Sequence, residues 1–489
     1  PTSGSGSLLI HIGEAAKRYG IEPNSIQYYA QELNQQTYNI TRMNLVMRDI
    51  SPSNIITRND DTLAADWPFF DENDPENTYD PLYVDAVVSN PPYSANWDPE
   101  NKELDPRFAD YGLAPKSTAD YAFLLHGLYH LNPQGLMTIV LPHGVLFRGG
   151  SEGLIRERLI EKRQIEAIIG LPADIFFGTG IPTIIMVLSK RVRHDDGILI
   201  IDASKNFIKD GKKNRLQASD IKRISDAVKE RKDIENFCRV VSLEEIRAND
   251  YNLNIPRYVD TSTKPESWDI YASMFGGIPE TELGKFDKYW EVFPSLKGEL
   301  FAGEDYLSLK SENIRETIKN NKDVLQFIKN HMLRFGDLGA YLDSMLIANA
   351  TTINIPKTQE IIANNIFMRF VDNTLIDPYG AYEIFEDKFT EISGDLELIQ
   401  TEGIKAVTQV DPNMVIKKKN GKDVEVQEGW KGHILPFDLV QDICLSERKR
   451  DLKEKQEKLA EIPSSYEEIL ESMSEDDKEI ISEALNDTN

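Results

Sequence analysis

The fold is decided by VDAVVSNPPY, residues 84–93. The first six of these residues predict a short, mostly apolar β-strand. Two consecutive prolines cannot donate to the hydrogen-bond ladder of a sheet, so the chain must leave the sheet after Asn90 with its carbonyl groups unpaired and directed outward. The stretch therefore predicts a set of hydrogen-bond acceptors at the end of a strand.

These acceptors suit a planar amino group. Asn90 offers a side-chain carbonyl, Pro91 a main-chain carbonyl, and Tyr93, after Pro92, an aromatic face on which a heterocycle can stack. Accepting both amino hydrogens as a methyl group arrives would favour the positively charged transition state of a poor nucleophile. A base inside a duplex would have to be flipped out to reach this pocket. The alternative is a proline-terminated strand without a ligand.

A glycine-rich turn precedes the first predicted helix. It consists of Thr2, Ser3, Gly4, Ser5, Gly6 and Ser7. Such a turn lets backbone amides and the positive end of the helix dipole approach a polar ligand. No Gly-Lys-Ser or Gly-Lys-Thr follows, which excludes a P-loop. We expect these six residues to bind a cofactor, although a plain tight turn is the alternative.

Two acidic residues follow the next predicted strands. Glu32 lies at the tip of the second strand, where a carboxylate can accept both hydroxyl hydrogens of a ribose. Asp61 follows the third strand, where it could accept from the exocyclic amine of an adenine, although a capping or loop role is equally compatible with the sequence. Together with the glycine-rich turn, these positions indicate a nucleoside cofactor.

Residues 1–258 alternate short apolar runs with helical stretches, which predicts a mostly parallel sheet with helices on both faces. We expect strands at 25–30, 54–57, 84–89, 136–141, 165–171 and 183–188. We expect helices at 8–19, 36–48, 119–131 and 151–162. The glycine and proline residues between 177 and 182 predict a hairpin-like turn.

The later part of the chain is predicted to be helix-rich. We expect a domain over 1–260, a helix-rich region over 261–438 with a small hairpin around Asn420-Gly421, and C-terminal helices over 439–489. The last region is interpreted as two amphipathic helices broken at Pro463, with a surface or partner-docking role. Residues 60–80 are acidic and predict an exposed loop.

Composition excludes several function classes. The chain has 55 Lys plus Arg against 81 Asp plus Glu, a net charge of −26, which does not suit a protein that grips phosphates over a broad surface by itself. Two cysteines favour neither a disulfide framework nor a metal site, and a reducing cytoplasm is expected. No apolar run reaches about 18 residues, so no membrane span is predicted.

The sequence resembles amino-methyltransferases that use S-adenosylmethionine, and more closely the modification (M) subunit of type I restriction-modification systems, which are DNA adenine N6-methyltransferases. The blocks that carry this resemblance are 1–10, 31–34 with 43–45, 90–93, 141–146, 171–183 and 251–258. The implied fold is a Rossmann-like class I methyltransferase sheet followed by a helix-rich C-terminal region.

The resemblance also implies roles. Gly4 and Gly6 would line the methionine end of the cofactor, Glu32 would hold the ribose and Asp61 the adenine. Asn90, Pro91 and Tyr93 would handle the target adenine of double-stranded DNA. The family's first strand, an Asp before Pro1 and its helical N-terminal domain are expected to be missing from this sequence, and Ser3 stands where the family often has Cys.

Partners follow from the same resemblance. Specificity would come from a separate S subunit, generally with two M subunits per S, and a motor-nuclease R subunit would join for restriction. Alternatives are methylation of a protein glutamine or of a ribosomal RNA guanine, which present the same planar amine, and a non-catalytic scaffold. His143 is a candidate base only secondarily, since this chemistry needs no strong base before attack.

Overall fold

The computed structural model describes residues 1–66, 80–176, 179–191, 197–261, 268–419, 422–472 and 474. Most of the predicted acidic loop at 60–80, together with Phe177 and Gly178 of the predicted turn, lies outside these residues. The chain forms two compact units, Pro1–Met345 with Pro356–Phe389, and Leu346–Ile355 with Thr390–Asn489. The predicted boundaries at 260 and 438 stay predictions.

In the part of the chain that the structure describes, ten strands precede residue 260. They are β1 (Tyr28–Gln31), β2 (Ile55–Arg58), β3 (Val84–Ser89), β4 (Leu131–Pro142), β5 (Ile165–Gly170), β6 (Thr183–Ser189), β7 (Ile198–Asp202), β8 (Ile208–Asp210), β9 (Lys213–Arg215) and β10 (Cys238–Val241). Six of them form the central sheet in the order β10-β7-β5-β6-β4-β3, while β1 pairs with β2 and β8 with β9.

The central sheet is mostly parallel, as expected: β3, β4, β5 and β7 run in one direction, while β6 and β10 run in the other. β3 runs parallel to β4, and β5 parallel to β7. β6 is antiparallel to both β4 and β5, and β10 is antiparallel to β7. The connection between β5 and β6, residues 171–182, contains no helix among its described residues, whereas parallel neighbours are usually joined through a helix.

Helices cover both faces of this sheet. Those before residue 260 are Ser7–Arg18, Gln35–Val46, Asp120–Tyr129, Gly150–Glu161, Ala218–Glu230 and Leu243–Ala248. The side chains of β5 alternate between the faces. Ile168 belongs to the core cluster that includes Leu124, whereas Ala167 and Ile169 pack in the cluster that includes Ala227. The expected α/β class and the four predicted helices are confirmed.

A cavity of about 530 Å³ lies between β1 and β3. Its lining includes residues 25–31 and 82–88, and also Pro1, His126 and His130. β1 and β2 are paired in parallel, with Tyr28 opposite Ile55, as a two-stranded sheet of their own. The expected absence of a first strand from this sequence stays a prediction.

The remainder of the first unit is helical with a small sheet that the sequence reasoning did not predict. Its helices are Ile270–Phe275, Glu280–Leu283, Asp287–Val292, Leu296–Leu300, Ile314–Asn320, Lys322–Phe335, Leu338–Leu342 and Ile355–Arg369. The sheet consists of β11 (Ile278–Pro279), β12 (Phe301–Ala302) and β13 (Tyr306–Leu309), in the order β11-β13-β12. Phe293, Leu296 and Leu300 form the core there.

Helix Pro378–Glu402 leads into the second unit, which contains the predicted hairpin. β14 (Val410–Lys419) pairs antiparallel with β15 (Lys422–Gly432), and Lys419 lies opposite Lys422. The hairpin around Asn420-Gly421 is therefore confirmed by the strands on either side, although these two residues themselves lie outside the described part.

Two helices follow the hairpin, Phe437–Cys444 and Ser446–Ser472. The predicted break at Pro463 was wrong, because the helix continues through this residue. The break lies at Leu445, whose φ of −128° is not helical. A proline removes one backbone donor within a helix, so the carbonyl of Leu459 lacks its helical hydrogen bond. Leu459 lies on an exposed segment, where water can bind this carbonyl instead. Across the described residues, no helix has the length and apolarity to cross a membrane.

The buried guanidinium of Arg156 ties two separate segments together. It donates to the carbonyl oxygens of Val145 at 3.0 Å and Arg148 at 2.8 Å, and to that of Tyr251 at 2.8 Å. The amide of Leu253 adds a bond of 2.9 Å to the carbonyl of Leu146. These contacts fix the turn after β4 against the segment at 251–258.

We expect Arg156→Met to lower the free energy of unfolding by roughly 3 kcal/mol, because three carbonyl oxygens lose a donor. Urea denaturation of the purified chain measures this loss. Arg158→Met is the control, since Arg158 lies exposed on the same helix and should change stability by no more than about 0.5 kcal/mol. Equal effects of the two substitutions would show that the buried contacts carry no stability.

Candidate active site

The turn after β3 places the Asn-Pro-Pro-Tyr residues at the edge of the sheet. Ser89 is the last paired residue, opposite Ile139 of β4. Asn90 is exposed and Pro91 is buried. Among the described residues, no backbone amide donates to the main-chain oxygen of Pro91. The predicted exit of the chain from the ladder after Ser89 is thus observed, and the role of the Pro91 carbonyl as an acceptor stays a prediction.

Tyr93 folds back onto this turn. Its hydroxyl donates to Oδ1 of Asn90 at 2.9 Å. Burial raises the pKa of the Tyr93 phenol to about 12, although the hydrogen bond to Asn90 opposes the shift. The phenol therefore stays protonated at neutral pH and can act as the donor in this bond. Asn90 thus has its side-chain acceptor satisfied within the turn.

Phe176 is a second aromatic residue at this edge, and the sequence reasoning did not single it out. Its ring lies 6.5 Å from that of Tyr93, centroid to centroid, with an interplanar angle of 65°. It follows β5, in the connection to the antiparallel strand β6. The sequence shows that an aromatic residue lies in this connection, but it does not show that Phe176 lies beside Tyr93. The antiparallel pairing of β6 brings the two residues together.

The glycine-rich turn is bound to the end of β1. The amide of Gly4 donates to Oε2 of Glu32 at 3.0 Å, and the amide of Asn34 donates to Oε1 of the same carboxylate at 3.1 Å. The hydroxyl of Thr41 donates to the carbonyl of Gly4 at 2.7 Å. The structure therefore brings together Glu32 and the turn that the sequence paired with it.

Gly6 begins the helix Ser7–Arg18 from a left-handed conformation, with φ of 79°. A Cβ atom at this position would lie 3.1 Å from Cγ2 of Thr41, so both backbone and space favour glycine. The hydroxyls of Thr2 and Ser89 lie 3.3 Å apart and share a hydrogen bond. This bond joins the glycine-rich turn directly to the strand that carries Asn90.

Asp61 lies apart from these groups. In the described part of the chain, its carboxylate accepts from the amides of Leu63 at 2.9 Å and Ala64 at 3.4 Å, within its own turn. The buried Arg107 holds this turn by donating to the carbonyls of Thr62 at 3.0 Å and Leu63 at 3.3 Å. The structure therefore shows the capping role that the sequence left open, and the adenine role stays a prediction.

Asp66, His126 and His130 form a cluster with ligand atoms within 4.8 Å of one another. His130 binds Asp66 at 2.9 Å through Nε2, and Arg107 lies 3.1 Å from Nδ1 of His126. Arginine can only donate, so Nδ1 accepts and the proton of neutral His126 resides on Nε2. Burial, with the charges of His130 and Arg107, lowers the pKa of His126 well below its usual value. The cluster is thus a hydrogen-bonded group without three free ligand atoms.

The element order defines the class of protein. A glycine-rich turn before a helix, an acidic residue at the end of the next strand and Asn-Pro-Pro-Tyr after β3, on a mixed sheet covered on both faces, are the arrangement of a class I methyltransferase fold. A model of the N-6 DNA Methylase family matches residues 1–267, more than half of the chain. The chain belongs to this family.

Known proteins are similar to part of this chain. The type I restriction enzyme MpnII methylase subunit of Mycoplasma pneumoniae is 39% identical over 273 residues, covering 55% of this chain and 49% of that protein. The MjaVIII methylase subunit of Methanocaldococcus jannaschii is 34% identical over 310 residues, covering 61% and 51%. A solved methyltransferase subunit of a type I restriction-modification system from Streptococcus thermophilus is 50% identical, with a TM-score of 0.49 and 53% of each chain covered. The chain spans about half the length of these relatives.

We expect Glu32→Ala to speed hydrogen exchange at the amides of Gly4 and Asn34, because both donate to the carboxylate that is removed. Exchange followed by NMR or by mass spectrometry of short peptides measures this. Glu22→Ala, at an exposed position before β1, should leave both amides unchanged. Unchanged protection in Glu32→Ala would show that the turn is held by other contacts.

Proposed function

We propose that the chain is the modification subunit of a type I restriction-modification system. It transfers a methyl group from S-adenosylmethionine to the N6 amine of an adenine flipped out of double-stranded DNA. The observation that carries this proposal is the turn after β3, where Asn90, Pro91 and Tyr93 combine outward acceptors with an aromatic face. The printed names of the relatives, type I restriction enzyme methylase subunits, support the same substrate class.

The glycine-rich turn and Glu32 fit the proposed cofactor. Gly4 has a positive φ of 60° and no atom within 4 Å of the place where a Cβ would stand, so a ligand can approach its backbone. Thr2, Ser3, Ser5, Gly6 and Ser7 complete the turn at the start of a helix, where amides favour polar groups. Glu32 would accept from the ribose hydroxyls, and Asp61 from the adenine amine. S-adenosylmethionine supplies the electrophilic methyl group when bound.

At the amine, this chain's own groups act by accepting hydrogens. The side-chain carbonyl of Asn90 takes one N–H and the main-chain carbonyl of Pro91 the other. Both bonds strengthen as positive charge develops on the nitrogen, and they stabilise the transition state more than the ground state. Pro91 and Pro92 keep the turn rigid, because a proline ring fixes φ.

Two aromatic rings then frame the base. Tyr93 supplies a face for stacking, and Phe176 approaches it edge-on. Stacking on an aromatic side chain contributes about 1–3 kcal/mol per base and offsets part of the cost of flipping. When the base enters, its amine replaces the Tyr93 hydroxyl on Oδ1 of Asn90.

Partners and location complete the proposal. The net charge of −26 supports a division of labour in which an S subunit makes much of the phosphate contact and reads the sequence. Two M subunits would bind each S subunit, and an R subunit would join for restriction. The helices after residue 438 would dock against the S subunit. The two free cysteines, Cys238 and Cys444, support a cytoplasmic location.

We expect Asn90→Ala to abolish methyl transfer, because the amine loses a side-chain acceptor, while assembly survives. The measurement is transfer of radiolabelled methyl from S-adenosylmethionine to DNA, with digestion to identify N6-methyladenine. It compares the full-length protein alone, with its S subunit, and as the variant with that subunit. Asn132→Ala is the control, since Asn132 is partly exposed and lies on β4, where it donates to Asp85.

Label on N6-methyladenine that requires the S subunit and disappears in Asn90→Ala supports the proposal. Label on a protein or on ribosomal RNA instead of DNA contradicts the substrate assignment. Full activity of the Asn90→Ala complex contradicts the assignment of the site.

We expect Tyr93→Phe to retain transfer, and Tyr93→Ala to lose roughly 10–100-fold in kcat/KM for DNA. Phenylalanine keeps the stacking face and frees Oδ1 of Asn90 from the internal hydrogen bond, whereas alanine removes the face. Steady-state kinetics of the M–S complex on an oligonucleotide duplex measures both. A loss in Tyr93→Phe as large as that in Tyr93→Ala would mean that the hydroxyl, and not the ring, is required.

A further inference from the structure

The residue after the Asn-Pro-Pro-Tyr turn has an unusual backbone conformation. Ser94 has φ of 50°, in the left-handed region that non-glycine residues rarely adopt. Its amide donates to Oδ1 of Asp120 at 2.8 Å. Asp120 is fully buried, in the first turn of helix Asp120–Tyr129. A buried carboxylate therefore accepts a hydrogen bond from the backbone amide directly after Tyr93.

Asp120 is held by an ionic group in which both carboxylates are buried and the guanidinium of Arg148 is partly exposed. The guanidinium of Arg148 donates to Oδ2 of Asp120 at 3.1 Å and to Oε1 of Glu152 at 3.3 Å. Glu152 is also buried, and burial raises the pKa of its carboxyl even though Arg148 opposes the shift. One guanidinium thus lies between two carboxylates, and only Asp120 extends from this group to the turn after β3.

The following residues are fixed along the same path. The amide of Ala119 donates to the carbonyl of Ala95 at 2.8 Å, and the amide of Trp97 to that of Lys116 at 3.0 Å. The indole of Trp97 donates to the carbonyl of Pro115 at 3.0 Å. These contacts fix residues 95–97, which leaves Ser94 as the link between a rigid segment and Tyr93.

We propose that Asp120 is a positioning residue for methyl transfer, which holds Ser94 in its left-handed conformation and thereby sets the direction of the Tyr93 ring and the Asn90 carbonyl. This inference rests on the proposed function. Without the carboxylate, no hydrogen bond to the Ser94 amide offsets the strain of its left-handed conformation. The backbone then relaxes toward the extended region and displaces Tyr93.

The test compares two substitutions in the same ionic group. Asp120→Ala removes the acceptor of the Ser94 amide, whereas Glu152→Ala removes the other carboxylate on Arg148 and leaves Ser94 bonded. Both variants are prepared as the full-length M–S complex, and kcat and KM for DNA and S-adenosylmethionine are measured. Urea unfolding records the stability of each, and hydrogen exchange the protection of the Ser94 amide.

We expect kcat of Asp120→Ala to fall roughly 100-fold, with KM for S-adenosylmethionine unchanged and faster exchange at Ser94. Glu152→Ala should lose stability but keep kcat and the protection of Ser94. Asp120→Asn is the conservative variant, because it still offers an acceptor oxygen, and it should keep most of the activity. It also provides a test in case Asp120→Ala does not fold.

Equal losses of kcat in Asp120→Ala and Glu152→Ala would overturn the positioning role, as would an Asp120→Asn variant that folds but is as inactive as Asp120→Ala. If the wild-type complex transfers no methyl group to adenine, the proposed function itself is contradicted. An active wild-type complex with unchanged kcat in Asp120→Ala refutes the positioning role alone.

Discussion

The site depends on the loss of ladder donors at Pro91 and Pro92. β3 is the last strand in the order of the central sheet and pairs with β4, and two residues without an amide hydrogen stop this pairing at Ser89. The chain must then turn at the sheet edge, where polar backbone groups have no strand partner. Because unpaired backbone groups are costly when buried, the turn needs partners from elsewhere in the fold, and the contacts around it supply them.

Three arginines hold this turn's support and the neighbouring turns: Arg107 and Arg156 are buried and Arg148 is partly exposed. Arg156 donates to carbonyls of the turn after β4, Arg107 to carbonyls of the turn that carries Asp61, and Arg148 supports the carboxylate that receives the Ser94 amide. A guanidinium has five donors in a fixed plane, so one side chain can satisfy several carbonyls at once. The loops at the carboxyl edge are thereby held without strand pairing, and each buried charge remains hydrogen-bonded.

Local signals made much of the first unit predictable. β3 was predicted over the observed residues, because two prolines end it, and the helix at Asp120–Tyr129 was found from its apolar spacing. The antiparallel direction of β6 relative to β5 agrees with the hairpin-like turn predicted at 177–182, but the position of β6 between β4 and β5 was not predicted, since strand order depends on contacts between distant segments. The sequence did not indicate Phe176 either, because its neighbour Tyr93 lies far away in the sequence and only the folded chain brings the two rings together. The continuation of the last helix through Pro463 contradicted a local rule, because one lost donor does not end a long helix.

The hydrogen bond between Tyr93 and Asn90 also bears on how such a site can stay exposed without a substrate. An open amide oxygen at the sheet edge would be hydrated, and a base would have to displace that water. With the phenol as donor, the acceptor is satisfied inside the turn, and the same ring that offers a stacking face carries the competing hydroxyl. Under the proposed function, entry of a planar amine would exchange one hydrogen bond for another on Oδ1 of Asn90, so the net gain would come from stacking and from the carbonyl of Pro91. Selectivity would then depend on the aromatic face and both acceptors together, because a single hydroxyl or a single N–H cannot bind two acceptors.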